Sequence, residues 1–161
     1  MIRNVTPADA KAITDIYNQY ILNTTISFET EALTAEQMGE RIKDISTEYP
    51  YYAYENEDGT IGGYCYAHRW KEREAYSHTL ETTIYLAPGK ERRGIGTQLM
   101  HMLIDECRRR GFVALIACIT GDNEASIKMH ASLGFEQKSC FEKVGIKFGK
   151  MLDVVDMELL L

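Results

Sequence analysis

ERRGIGTQLM, residues Glu91 to Met100, sets two glycines one residue apart where an apolar strand gives way to a helix. The rest of the reading turns on what that bend is built to hold. A helix beginning near Ile95 offers first-turn N–H groups with no intrahelical partner, at the positive end of its dipole, and that arrangement favours a phosphate. Glycine lets such a group approach the backbone. A Walker loop needs Gly-Lys-Ser/Thr, but Gly89-Lys90 is followed by Glu91. A dinucleotide fingerprint needs a third glycine where Leu99 stands, and the preceding strand follows a hairpin instead of opening a βαβ unit. Taken alone, Arg92-Arg93-Gly94-Ile95-Gly96-Thr97 leaves both an ordinary helix start and a phosphate cradle open.

Upstream of the turn, Tyr76 to Leu86 reads as a strand, and Tyr51–Glu55 with Ile61–Trp70 as a hairpin around Asn56-Glu57-Asp58-Gly59. Before the hairpin, Thr34 caps a helix that runs to about Ser46 and is stopped by Pro50; Asn23 to Thr30 is a loop. The chain opens with a short strand, Ile2 to Val5, and with Thr6-Pro7-Ala8-Asp9 as the start of a helix whose Ile13, Ile16, Tyr17 and Tyr20 share one face. Downstream, the helix from about Ile95 to Arg110 closes at Gly111, and Phe112 to Ile119 forms a very apolar strand. A short helix spans Asn123 to Leu133. Strands at Phe135–Val144 and Phe148–Leu159 finish the chain, with Gly145 and Gly149 marking their connection. Hairpins mixed with crossover units predict an α/β (α+β) class with a mixed sheet.

The 161 residues, 45% of them hydrophobic, suit one domain over 1–161 with its own core. A formal charge of -6 argues against nucleic acid as a partner, and Arg108-Arg109-Arg110 reads as a helix end. Cys65, Cys107, Cys118 and Cys140 have neither metal-ligand nor disulfide-framework spacing, so reduced packing thiols and no metal are expected. His68, His78 and His101 likewise have no partner at ligand spacing and are assigned surface or satisfied roles; Met100, Met102, Met129 and Met151 read as core or interface filler. With no signal-like N-terminus and no run of about 20 apolar residues, the expected location is the cytoplasm, away from membranes.

The succession of a strand, Arg-x-Gly-x-Gly at a helix start, an apolar strand, and Asn123 opening a further helix resembles the GNAT family of acetyl-CoA-dependent N-acetyltransferases. The resemblance spans nearly the whole chain. It is strongest to the phosphinothricin and methionine sulfoximine acetyltransferases, through Phe28-Glu29-Thr30, Trp70 to Tyr76, Glu81-Thr82-Thr83-Ile84-Tyr85, Lys147-Phe148-Gly149 and Asp153-Val154-Val155. It implies a GNAT fold, with a mixed central sheet of about seven strands flanked by about four helices, and acetyl-CoA as cosubstrate. Its pyrophosphate would lie on Arg92 to Thr97 and its pantetheine arm along the backbone of Ile84, Tyr85 and Leu86, with Asn123 adding a contact. Glu91 departs from the Gln or Arg usual at the first turn position; it is expected to face solvent, with Arg92 and Arg93 supplying compensating charge. Members of this branch are usually homodimers.

Acetyl transfer to an amine requires a neutral amine, hence a base. Glu81, flanked by Thr, Ile and Tyr in its strand, would have its pKa raised by burial, and the resemblance places the family's base there; a strand glutamate paired with a cation is the plainer alternative. His130 shares a helical face with Ile127 and Leu133 and is expected to be at least partly buried; the resemblance adds proton transfer near the coenzyme sulfur. Lys71, Arg73 and Tyr76 combine charge, a planar fork and a phenol, a receptor suited to an anionic amino acid. The resemblance adds Phe28 and Tyr85 as substrate contacts. The resulting expectation is direct acetylation of the α-amino group of a small amino-acid analogue. Two rivals are a GNAT enzyme for another amine, such as a peptide N-terminus or polyamine, and a non-catalytic acyl-CoA-binding module.

Overall fold

The computed structural model describes all 161 residues. Strands β1 (Ile2–Asn4), β2 (Tyr51–Glu55), β3 (Ile61–Arg69), β4 (Thr79–Leu86), β5 (Ala114–Thr120), β6 (Glu136–Lys147) and β7 (Lys150–Leu160) alternate with helices α1 (Ala10–Asn23), α2 (Ala35–Glu48), α3 (Ile95–Arg109) and α4 (Glu124–Ser132). The seven strands form one sheet in the order β1-β2-β3-β4-β5-β7-β6. Every neighbouring pair is antiparallel except β4 and β5, so the sheet is mixed as the pattern predicts.

Helices cover both faces. On one, α1 and α2 bring Ile13, Ile16, Met38 and Ile42 onto Tyr51, Ala53 and Tyr64. On the other, Ile95, Leu99, Met100, Leu103 and Cys107 of α3 pack on Cys65, Ala67, Leu80, Leu115 and Ala117, with Ile127, Met129 and Leu133 against the same core. Leu99, which breaks the dinucleotide fingerprint, is therefore a fully buried core residue. The cap at Thr34 forms as predicted: Thr34 Oγ1 accepts the Gln37 N–H at 3.1 Å, and the Gln37 side chain accepts the Thr34 N–H at 2.9 Å. No helix is long and apolar enough to cross a membrane.

Several boundaries shift from the sequence reading, two of them for identifiable local reasons. The third strand begins at Thr79 instead of Tyr76, because Glu74–Tyr76 winds into a 3-10 turn. Gly145 lies inside β6, not between the last two strands: the ladder shifts register between Phe141 and Gly145, where the Lys143 N–H leaves it to reach Asp153 Oδ1 at 2.8 Å. The reversal itself falls at Phe148 and Gly149, whose φ angles of 51° and 71° suit a tight hairpin turn.

Candidate active site

The site originates in a failure of pairing. β4 and β5 are matched only at Thr79↔Ala114, Leu80↔Leu115 and Glu81↔Ile116; beyond Glu81 they separate. Thr82 marks the start of the gap by donating its hydroxyl to the Ile116 carbonyl at 3.4 Å. From there to Leu86, β4 keeps β3 on one side and has no strand on the other. The Ala87 N–H is spent on Gly62 of the β3 side at 3.0 Å, and antiparallel alternation then directs the N–H groups of Ile84 and Leu86 into the gap. The same alternation turns the Tyr85 N–H toward β3. Of the three residues expected to offer backbone to a coenzyme arm, Tyr85 thus lies between the two free N–H groups, and its ring packs against Tyr17 and Tyr20 with centroids 5.0 and 4.9 Å away.

A cavity of about 560 Å³ passes through this gap and is lined from both faces of the sheet. Glu81, Thr83 and Tyr85 lie on the α1/α2 face, together with Tyr17, Tyr66 and His68 and with Phe28 and Glu29 from the loop after α1. Ile84, Ala117, Ile119, Asn123, Ser126 and His130 line the α3/α4 side.

Glu81 is the central acid. Its side chain retains 27% exposure, and burial raises its pKa; His68 works in the opposite direction, and the charge of Asp156 adds to the rise. His68 Nε2 stands 4.0 Å from Glu81 Oε1. Its Nδ1 lies 2.9 Å from the Arg69 carbonyl, which can only accept, so Nδ1 carries the proton and Nε2 faces the glutamate. Beside them Cys118 donates its thiol to Asp156 Oδ1 at 3.1 Å, and burial pushes that thiol well above the ordinary range.

His130 is 3% exposed, with its ring edge-on to Phe135 at 5.0 Å. Its Nδ1 donates to the Ser126 carbonyl at 2.9 Å, which leaves Nε2 as an acceptor, and burial lowers its pKa, so the resting ring is neutral. Asn123 caps α4 by accepting the Ser126 N–H at 3.2 Å and also lines the cavity, so the cap and a ligand contact are compatible in one side chain.

The glycine turn sits at the start of α3. Gly94 adopts φ 76° as the N-cap and supplies no side-chain cap; the first intrahelical bond is Gln98 N–H to Gly94 O at 3.0 Å, so the N–H groups of Ile95, Gly96 and Thr97 have no helical partner. A methyl on Gly96 would stand 3.1 Å from Met129 Sδ and 3.6 Å from both Ile84 and Leu86, so glycine there seats the helix start against the open strand. Glu91, Arg92 and Arg93 are all exposed. Free N–H groups on β4, free N–H groups at the α3 start and two arginines beside them fit a pantetheine pyrophosphate ligand, which would span these two elements.

The structure thus brings Glu81, His130, Asn123, Phe28 and Tyr85 to one cavity and leaves Lys71, Arg73 and Tyr76 out of its wall. Those three occupy the β3–β4 connection, where Lys71 Nζ rests 4.3 Å from the Trp70 ring centroid and 5.3 Å from that of Tyr76, and Arg73 is exposed with no ion pair. Local spacing gave them a charge cluster and could not give them a direction. His68 and Cys118 are the opposite case: assigned surface, satisfied or packing roles, both line the cavity. The sheet register supplies the missing signal, since His68 pairs with Glu81 across β3 and β4. Arg41 and Tyr66 were also not picked out, because α2 and β3 meet the loop at Glu29 only in the folded chain.

Residues 2–155 match the model of the acetyltransferase (GNAT) domain. The chain belongs to the GNAT acetyltransferases. Among GNAT relatives, an L-methionine sulfoximine/L-methionine sulfone acetyltransferase of Salmonella typhimurium is 35% identical over 159 residues, 98% of this chain and 92% of its own. A phosphinothricin acetyltransferase from Sinorhizobium meliloti, solved in complex with AcCoA, superposes with a TM-score of 0.97 at 34% identity, covering 100% of this chain and 88% of that one. A ribosomal-protein-alanine N-acetyltransferase from Brucella melitensis gives the same TM-score of 0.97 at 33% identity, covering 100% and 99%. The GNAT acetyltransferase described here therefore has the fold and enzyme class that its sequence predicts.

Proposed function

We propose that this acetyltransferase moves acetyl from acetyl-CoA directly to the α-amino group of a small amino-acid analogue of the phosphinothricin or methionine sulfoximine type. The observation that carries this reading is the cavity through the β4–β5 gap, with a raised-pKa carboxylate on one face of the sheet and free backbone N–H groups edging the gap. The names of the Salmonella and Sinorhizobium relatives support the acceptor class.

Glu81 takes a proton from the acceptor ammonium, and the freed nitrogen attacks the thioester carbonyl. The new C–N bond forms as the C–S bond breaks, and a free β4 N–H, that of Ile84 or Leu86, stabilises the oxyanion between those events. The attacking nitrogen loses its second proton as the intermediate collapses, and His130 Nε2, an acceptor in its neutral resting state, is the relay that passes a proton to the departing sulfur. Arg92, Arg93 and the N–H groups of Ile95, Gly96 and Thr97 hold the pyrophosphate. Phe28 and Tyr85 enclose the acceptor, while Lys71, Arg73 and Tyr76 draw anionic acceptors from the neighbouring loop.

Direct transfer is supported by the absence of a ready acyl carrier in the wall. The Cys118 thiol is bonded to Asp156 and pushed toward its protonated form. Ser126 Oγ lies 3.2 Å from His130 Nδ1, but that nitrogen already carries a proton for the Ser126 carbonyl and cannot serve as base to the hydroxyl.

CoA release measured across phosphinothricin, methionine sulfoximine, methionine sulfone, ordinary amino acids, polyamines and N-terminal peptides tests the reading. The amino-acid analogues are expected to dominate. The Brucella likeness favours a second reading, a peptide N-terminus as acceptor, and dominance of alanine-starting peptides would install it. Binding of acetyl-CoA without turnover of any amine would leave only the binding-module reading.

A homodimer completes the proposal. β6 is an edge strand, and with β7 it exposes Phe141, Val144, Ile146, Phe148 and Met151, the last three at 66%, 65% and 50%. A run of this kind on an open edge is a surface for self-association. Light scattering is expected to give twice the chain mass, and Ile146→Lys with Phe148→Asp to return the monomer.

A further inference from the structure

The cavity is electrically lopsided. At the Glu81 end the neighbouring groups are Glu81, Asp156 and His68. At the other end a loop residue, Glu29, is gripped by Arg41 of α2, with Nη2 to Oε1 at 2.6 Å and Nη1 to Oε2 at 2.9 Å, while Tyr17 also donates its hydroxyl to Oε2. A third side chain joins them from behind. Lys147 of β6 is 4% exposed and donates to the Ser27 carbonyl at 2.6 Å; burial lowers its pKa, and the charge of Glu29 works against that. The loop end therefore holds two basic groups against one carboxylate.

Arg41 and Glu29 keep 45% and 36% side-chain exposure, so the pair borders solvent. Three features tie it to the cavity. Both residues line the cavity shared with Glu81. Glu29 has both oxygens occupied, and Arg41 holds it well below the ordinary carboxylate range, so it is a spent anion. Arg41 has given two of its five N–H donors to Glu29 and makes no other bond, which leaves a guanidinium locked in direction with donors to spare.

An amino acid is itself a dipole, with its amine bound for the base and a carboxylate one carbon away. We propose that Arg41 is the carboxylate anchor of the acceptor, the Glu29–Arg41–Lys147 cluster forming an anion subsite opposite Glu81. The assignment rests on the amino-acid reading above and sharpens it: the loop residue Arg73, outside the wall, serves the distal anionic end or encounter, and Arg41 the carboxylate beside the reacting amine. Acceptors lacking the carboxylate forgo this charge-assisted pair and leave the spare N–H donors of the half-exposed guanidinium to water.

The test compares methionine sulfone with its carboxamide, which removes that charge and also lowers the pKa of the amine, an effect shared by every enzyme variant that cancels when the ratio is compared between them. The expected ratio of kcat/KM, acid over amide, is about ten- to a hundredfold in the unaltered enzyme and close to one in Arg41→Gln, with the acetyl-CoA Kd unchanged. A ratio that survives Arg41→Gln overturns the assignment, as does a ratio near one in the unaltered enzyme. Collapse in Arg73→Gln with an intact ratio in Arg41→Gln moves the anchor to the loop and overturns it too. If Arg41→Gln does not fold, Arg41→Lys decides: it keeps the charge and loses the fork, so a several-fold fall in the ratio supports the subsite and an unchanged ratio sinks it. Acetyl-CoA binding with no turnover of either acceptor in the unaltered enzyme would instead break the amino-acid reading itself.

Discussion

The proposed coenzyme half and the proposed acceptor half of the site are built from different materials. The coenzyme half is mostly backbone: N–H groups left free by the diverging of β4 from β5, and N–H groups left free at the start of α3. The acceptor half is mostly side chains drawn from five places, with Glu81 from β4, His68 and Tyr66 from β3, Tyr17 from α1, Glu29 from a loop and Arg41 from α2. Backbone donors are indifferent to side-chain identity, and Glu91 at the turn is exposed. The acceptor half has no such slack, and that is where specificity among related enzymes should reside.

If the halves are separable, Glu81→Gln should damage only one. The expected result is a fall in kcat of about 10²- to 10⁴-fold, with an unchanged acetyl-CoA Kd by calorimetry. Unchanged turnover in a folded variant would remove the base assignment. The same substitution has a stability sign. Because burial raises the pKa of Glu81, the folded state prefers its protonated form, so the residue destabilises the protein above its unfolded pKa and progressively less as the pH falls. A neutral glutamine escapes this cost, and the variant's Tm at pH 7 is expected to rise, a trade of stability for activity.

The complementary cut is Gly94→Ala. At φ 76° a Cβ costs about 1 kcal/mol, and relaxing that strain rotates the helix-start N–H groups. The acetyl-CoA Kd should rise several-fold while the acceptor KM stays put; a shift in acceptor KM alone would show that the halves are not separable along this line.

The smallest effect is expected from His68→Gln. His68 holds the Glu81 pKa down against burial and Asp156, so its loss lets that pKa rise. If Glu81 works as the deprotonated base, as proposed, the acidic limb of the kcat/KM profile moves to higher pH, costing most on the acidic side and little on the alkaline side. A limb that moves to lower pH, or not at all, would mean that His68 does not tune the base.

How much was legible in advance follows the same division. ERRGIGTQLM announced a helix start with free donors, and Glu81 announced itself as an acid in an apolar strand, because both signals are confined to a few consecutive residues. His130 was expected on a buried face from helical spacing, and it is 3% exposed. Lys71, Arg73 and Tyr76 show the limit: proximity in sequence made them a cluster, yet the 3-10 turn at Glu74–Tyr76 and the stacking of Lys71 on Trp70 place them outside the cavity wall. His68 shows the converse, a residue 13 positions from Glu81 that β-pairing sets across from it.

The sequence by itself determined the order and type of the elements, the mixed sheet, the family and the turn at Gly94, since periodicity, caps and glycine placement are local properties of the chain. Only the tertiary structure decided where β4 and β5 part, which charges share the cavity, and that Arg41 rather than Arg73 stands in its wall. Those outcomes depend on strand register and on the packing of α1 and α2 over the sheet, and the energies that set them act between residues far apart in the chain.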